Sequence, residues 1–468
     1  HVHIADPTAW LRPEHALSQT ARHKYSSVYF PEIMLPMLPT DVTNHKMSLS
    51  SKNTPLNVLT FSALVDSSSG KVSSYDVRRG KVGNIRILNY NQVNEMFLDR
   101  EDIGRHKVSD ATAQDDLHLL ASLASVINRR RVHIGRALNA VDAHSDLSIY
   151  PLPLPILADK TLDRPQFYTG FPEIRLRFAD HTNTERLGTF DQIPGGITSE
   201  TMVSEMMILA GRVAGSFGLD HNIPLPYRVQ PEPSDTELAI IDELKNPETG
   251  AMAMSKLISK DVFLPTGNSS IKPGIHYALG VRPMPQNDIN SDAFYRGGYV
   301  RVTSPLRRFA DLACHWQLKA KLSGENHPFN FETMSQLLVQ FDQMDNWVKQ
   351  IERASSRYWL WVYINRTLSK KQNYDFEGRS DYTTFFTPEE QALLEPIPAV
   401  QNIMDVRFNS ETLQSTVRIS LPQLGGLPVD CEWPNGKTPP RKDEIKKVKI
   451  NRAESAGLKR TIVCRQVK

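Results

Sequence analysis

Cysteine is scarce in this sequence: three in 468 residues, Cys314, Cys431 and Cys464, with no two at a paired spacing. That excludes a disulfide framework or a zinc site legible from spacing, and it points to a reducing compartment. Long apolar runs are missing as well. No window approaches eighteen consecutive apolar residues, so no membrane-spanning helix is expected. Excess charge of one sign is also absent, with 55 Lys and Arg against 52 Asp and Glu, and a net +3 identifies no partner. The sequence contains no internal repeat or low-complexity tract. It opens at His1 in a strand-like run, without an initiator methionine, signal peptide or transit peptide, and the expectation is that a segment precedes it.

What is present suits a globular chain with one large domain and a small one, at 40% hydrophobic and 23% charged residues. The charge is unevenly placed. From Gly436 to the end there are 11 Lys and Arg against 3 Asp and Glu. Such an excess favours polyanions through counterion release. It also fits a solvated strand edge guarded by lysines. Charge alone leaves both readings open.

Patterning gives a coarse map. "HVHIADP" reads as a strand ended by a turn, and "YFPEIMLPMLP" (29–39) as a proline-rich ordered loop over an apolar surface. "LNVLTFSALVD" and "SSYDVRRGKVG" read as strands. Helices are expected from Asp115-Asp116 to Arg129-Arg130-Arg131, from Thr198-Ser199 onward, after Ser304-Pro305, and from Phe331 to about Leu368. The acids of "SDATAQDDL" are read as capping the first of these. A polar stretch near 373–384 is taken as a domain boundary. Beyond it, "AVQNIMDVRF", "QSTVRISLP", "LPVDCEW", "EIKKVKIN" and "RTIVCRQV" suit a five-stranded Greek-key barrel of the OB type.

Three constellations bear on chemistry. In "YVRVTSPLRRFADLACHWQLKAKL" Ser304 reads as an N-cap and Pro305 as the first helical residue. Arg307 and Arg308 then fall in the first turn, against the helix dipole, as a phosphate site would require. The plainer alternative pairs Arg307 with Asp311 and leaves Arg308 in solvent. Glu205 lies three residues after Met202 and four before Leu209, so a carboxylate shares an apolar helix face. It must be paired there, or it reaches solvent at the stripe's edge. Tyr29 and Tyr90 are aromatics able to stack on bases, or to fill core.

Together and in this order, "HVHIADPTAWL", "YSSVYFPEIMLPMLP" followed by "MSLSS", "ILNYNQV", "TSETMVSEMMILAG" and "RVTSPLRRFADLACHWQLK" resemble the consecutive blocks of the RNase II/RNase R (RNB) family of 3′→5′ exoribonucleases. The likeness runs from His1 to about Leu368, and its wording is most similar to the fungal mitochondrial degradosome branch. It implies an α+β fold: an RNB catalytic domain over 1–372, a sheet with helices enclosing an RNA channel, then an OB-type RNA-binding barrel over 373–468. Carried over, Arg307 matches the arginine at the scissile phosphate and Arg308 the next basic position on the RNA backbone. Glu205 matches an active-site glutamate and Tyr90 a tyrosine beside the terminal nucleotides. Tyr29 matches the aromatic under the 3′-terminal base. In "IGRALNA" Ala140 stands where the family's second stacking aromatic falls.

The resemblance further implies processive hydrolysis of single-stranded RNA to nucleoside 5′-monophosphates, mitochondrial RNA turnover and a helicase partner. Family members hold Mg²⁺ with aspartates in a D-x5-D-x-D-D run ahead of "HVHIADP". That run is not in this sequence, so no metal ligand is assigned here, and the chain alone is expected to be inactive. A catalytically inactive RNB-fold RNA-binding regulator is the alternative.

Overall fold

The computed structural model describes residues 1–49, 55–97, 111–140, 146–150, 172–178, 197–247, 250–252, 257, 260, 262–283, 296–378, 385–400, 406–409, 414–424, 426–433, 445–456 and 459–467. The strands expected from alternation are present. β1 (Val2–Ala5), β2 (Leu56–Val65) and β3 (Val72–Val82) pair antiparallel in that order, with Val2 opposite Phe61 and Val58 opposite Gly80. Helix α1 (Ala111–His133) begins earlier than expected, so Asp115 and Asp116 lie inside it rather than ahead of it. Asp110 lies outside the described residues.

Helix α2 (Ser199–Asp220) starts on the expected N-cap, where Thr198 Oγ1 accepts from the Thr201 amide at 3.3 Å. It is apolar nearly all round because it is enclosed. Leu209, Val213 and Phe217 pack with Leu59, Phe61 and Val77 of the sheet, and with Val300, Val302, Cys314 and Leu318. By length and composition this helix could cross a membrane, but its apolar window is mostly buried inside the fold. Its glycines admit a close neighbour: a Cβ on Gly211 would meet Tyr299 Cε2 at 2.3 Å and Val300 O at 2.6 Å. Segment 297–302 can therefore lie directly on α2 and deliver Ser304 to Arg308 at its far end.

Helix α3 (Phe309–Ser323) corrects one expectation. Ser304 and Pro305 belong to a turn, and the N-cap is Arg308, extended at φ −137° and ψ 125°. Arg307 and Arg308 thus precede the helix, and the first-turn dipole argument does not apply to them. Lys319 of α3 reaches back to the buried Asp6 at 2.8 Å, fastening the end of β1. Burial would raise the Asp6 carboxyl, but His315 beside it at 3.8 Å and the Lys319 ammonium hold it below the usual carboxylate range.

Helix α4 (Phe331–Phe376) is 46 residues long, eight beyond the expected end, and is N-capped by Asn330. Its first half buries Met334, Leu337, Leu338 and Phe341 against Phe309, Leu312 and Trp316. Farther on, Leu360, Tyr363 and Ile364 share a cluster with the C-terminal strands. Among the described residues those strands number six: β4 (Ile397–Val400), β5 (Val406–Asn409), β6 (Gln414–Leu421), β7 (Leu427–Trp433), β8 (Ile445–Ala456) and β9 (Lys459–Gln466). Their order is β4-β8-β9-β7-β6-β5, with β7 and β9 parallel and one further pairing of β4 to β6 at Val400–Ser420. What read as one strand, "AVQNIMDVRF", is two, and residues 401–405 between them lie outside the described residues.

Candidate functional site

The site is built on a strap, residues 25–27, that runs against the segment entering α3. Ser26 and Arg308 form an antiparallel bridge. The Ser27 amide donates to the Arg307 carbonyl at 2.9 Å, Ser26 Oγ donates to the same oxygen at 3.0 Å, and the Phe309 amide donates to Tyr25 O at 2.7 Å. The backbone of Arg307 is therefore gripped while its side chain is exposed, with no hydrogen bond or ion pair to the described residues. Arg308 does the opposite of the plainer alternative. Its Nη2 pairs with the buried Asp311 Oδ2 at 2.9 Å, and that carboxylate also takes the Ser304 amide at 2.9 Å. Arg308 holds the turn, and Arg307 is the available cation.

Immediately past the strap, Val28–Tyr29 pairs with Met34–Leu35 in a small hairpin, where the sequence suggested only an ordered loop. The hairpin docks on α4: the Tyr29 amide donates to Glu352 Oε1 at 2.8 Å, and Trp359 Nε1 donates to Glu32 Oε2 at 2.7 Å. Tyr29 keeps 46% of its surface exposed. With Phe30, Arg353, Arg357 and Leu427 it lines a groove of about 670 Å³ between the hairpin, α4 and the C-terminal sheet. Arg353 and Arg357 are exposed and one helical turn apart, so the groove has a cationic wall and an aromatic floor.

Glu205 is 1% exposed, which removes the solvent-reaching alternative. Its Oε2 accepts Arg131 Nε at 2.8 Å, and its Oε1 accepts Arg131 Nη2 and, at 2.8 Å, Asn128 Nδ2. Arg131 also donates to Leu279 O at 2.5 Å. The carboxylate is thus fully used in joining α1 to α2. Asn128 continues the network to Asn139 at 3.3 Å, next to Ala140 in the short strand Asn139–Ala140. Tyr90 opens the helix Tyr90–Phe97 and is 49% exposed; its carbonyl takes Ser199 Oγ at 3.1 Å.

Two groupings result. Tyr29, Arg307 and Arg308 meet through the strap, whereas Glu205 and Tyr90 are organised around α2. No hydrogen bond or ion pair of the described residues joins Glu205 to Arg307 or to the Tyr90 ring.

Sequence reasoning missed the anchor of the strap. Tyr25 OH donates to Asp345 Oδ1 at 2.8 Å, and Arg301 Nη1 donates to Asp345 Oδ2 at 2.8 Å. Arg228 pairs with Asp342, one turn earlier on α4, at 2.8 Å. Burial would raise the Asp345 carboxyl, but the Arg301 charge and the Tyr25 phenol hold it down. Burial, reinforced by Asp345, pushes the Tyr25 phenol well up. The available signal was "FDQMD", two aspartates three apart beside an apolar stripe of α4. Among the described residues no group of three or more His, Cys, Asp or Glu side chains could hold a metal ion.

Comparison with known proteins agrees with this architecture. A protein-family model described as "RNB domain" matches residues 1–324. The mitochondrial exoribonuclease II of Schizosaccharomyces pombe is 24% identical over 410 residues, covering 85% of this chain and 40% of that protein. Among solved structures, the Candida glabrata Dss1 exoribonuclease active-site mutant D477N matches with TM-score 0.69 at 20% identity, over 99% of this chain and 52% of that one. Mycoplasma genitalium RNase R in complex with ribose-methylated single-stranded RNA matches with TM-score 0.66 at 15% identity, over 99% and 66%. The chain spans 38–45% of the length of the first curated relatives it matches.

Proposed function

The chain belongs to the RNB domain family, and from that premise we propose that it serves in a processive, hydrolytic 3′→5′ exoribonuclease that degrades single-stranded RNA to nucleoside 5′-monophosphates. The observation that carries the reading is the strap: it leads into an exposed aromatic, Tyr29, and is bonded to the backbone of Arg307, whose exposed guanidinium has no partner among the described residues. An aromatic face stacks on a terminal base whatever its identity. A guanidinium carried on a fixed backbone can form charge-assisted hydrogen bonds to a phosphate and stabilise developing phosphoryl charge. Stacking requires an unpaired strand, hence the single-stranded substrate.

Glu205 acts in this reading through Arg131 and not on RNA, because its carboxylate is buried and saturated. Tyr90 is the second exposed aromatic, a contact for the terminal nucleotides. The C-terminal strands are read as an OB-type barrel that binds RNA, supported by the Val400–Ser420 pairing, which links β4 to β6 as well as to β8. Mitochondrial RNA turnover is the proposed setting, on the likeness to the mitochondrial exoribonuclease of S. pombe, and a helicase partner is proposed with it on the sequence resemblance alone.

The test uses the full-length protein and a single-stranded RNA labelled at either end. Successive 5′-monophosphates should leave from the 3′ end. Arg307→Ala should cut turnover by about two orders of magnitude or more while RNA affinity barely changes. Equal losses in turnover and affinity would remove Arg307 from the scissile phosphate. Tight binding with no cleavage would identify an RNA-binding regulator instead.

A further inference from the structure

We propose that Tyr25, held by Asp345, is a positioning residue: it sets the strap that fixes Arg307 and Tyr29 relative to each other. The inference rests on the reading of those two residues given above. Tyr25 has φ 63° and ψ −47°, a backbone state that costs a non-glycine residue strain and persists only where its surroundings over-determine it.

They do so on every side. The Tyr25 amide donates to Ala21 O at 2.8 Å, its carbonyl accepts from Phe309 at 2.7 Å, and its ring lies against Phe341 with centroids 5.7 Å apart. Its hydroxyl is fixed by Asp345 at 2.8 Å. Asp345 cannot drift, because Arg301 binds its other oxygen and the Arg228–Asp342 pair sits one turn away.

The reversal of direction at Tyr25 aims Ser26 and Ser27 at Arg307. Both donors converge on the Arg307 carbonyl, and Ser27 Oγ accepts from the Met37 amide at 3.0 Å on the far side of the Tyr29 hairpin. One short segment thereby sets the aromatic and the cation together, and at Tyr25 itself the phenol is its polar side-chain tether to α4. A phenylalanine would fill the same apolar space and remove that tether, leaving the strap held by its backbone and hairpin contacts alone.

The experiment is a double-mutant cycle on the single-turnover rate of the full-length protein with saturating single-stranded RNA. Tyr25→Phe should lower the rate about ten- to a hundred-fold, with RNA affinity within about three-fold of wild type, as a misplacement of about 1 Å would. In an Arg307→Ala background it should lower the rate no further, because its effect passes through Arg307. Ser26→Ala, which removes one donor to the Arg307 carbonyl at little cost to folding, should show the same background dependence. An undiminished Tyr25→Phe rate, or an equal fall in both backgrounds, would overturn the proposal while leaving Arg307 in place. A wild-type rate in Arg307→Ala itself would overturn the underlying reading, and the positioning role with it.

Discussion

The sequence resemblance gave Glu205 an expected active-site role, yet it is locked to Arg131, and substitution should register first in stability. Glu205 and Arg131 are 1% and 5% exposed. Removing one member of a buried pair leaves the other charged and unsolvated, at about 3–5 kcal/mol. Glu205→Ala strands the guanidinium and also takes an acceptor from Asn128, so the upper part of that range applies. Arg131→Met leaves the carboxylate with Asn128 alone and costs the Leu279 carbonyl its donor, about 1 kcal/mol more. The double variant Glu205→Ala with Arg131→Met removes both charges. It should be less destabilised than the sum of the singles by about 2 kcal/mol or more. Urea unfolding followed by circular dichroism gives the midpoints and slopes. Additive singles, or a Glu205→Ala variant within about 1 kcal/mol of wild type, would refute the reasoning. Glu205 would then be free for a direct role on RNA.

Tyr29→Ala should weaken binding of a single-stranded oligonucleotide by about 1–3 kcal/mol, read by fluorescence anisotropy, whereas Tyr29→Phe should stay near wild type; equal losses would argue against stacking. His276 is pushed down to about 4, by burial first and then by the Arg228 and Arg301 charges, so the folded state holds fewer protons than the unfolded state between about pH 4 and 6.5. Stability should rise with pH across that window, by about 2 kcal/mol from pH 5 to neutrality, and denaturant midpoints of His276→Gln should lose the slope. Replacing the exposed Lys447 and Lys449 by Gln should lower the salt dependence of RNA binding by about 0.7 per charge, if β8 contacts the RNA backbone. An unchanged slope would make these lysines edge guards only.

Local pattern carried the regular elements well. The alternation of "LNVLTFSALVD" gave β2, and Thr198 and Asn330 mark the starts of α2 and α4 as capping chemistry requires. Ser304-Pro305 misled for the same reason. The dipeptide has a capping signature, but the Ser304 amide is bound by Asp311 from inside α3, and the turn stays outside the helix. What pattern could not carry was anything set by distant partners. Tyr25 and Asp345 are 320 residues apart, and Glu205 and Arg131 are 74 apart. Cys431 and Cys464 have no telling spacing, yet the parallel pairing of β7 with β9 puts them opposite each other in the core. Periodicity did locate the Glu205 carboxylate on an apolar face. It left open whether solvent or a cation would satisfy it, because the answer lies on another helix.

The corrected position of the two arginines changes why an arginine should stand at 307. Had both lain in the first turn, a dipole opposing them by about 0.3–1 kcal/mol each would have been the argument for a missing anion. Ahead of the helix that argument lapses, and the division of labour replaces it. Arg308 is paired through Nη2 with a carboxylate of 0% exposure, while Arg307, whose backbone is clamped by two donors, has no partner among the described residues. Side-chain freedom on a fixed backbone is costly to maintain if the residue is only a surface cation, since the strap that clamps it includes a tyrosine at positive φ. Lysine at 307 would keep the charge but lose the planar fork that can take two phosphate oxygens at once. Arg307→Lys should therefore lose much of the turnover that Arg307→Ala loses. A lysine variant with full activity would reduce Arg307 to a point charge, and the clamp on its backbone would have no catalytic purpose.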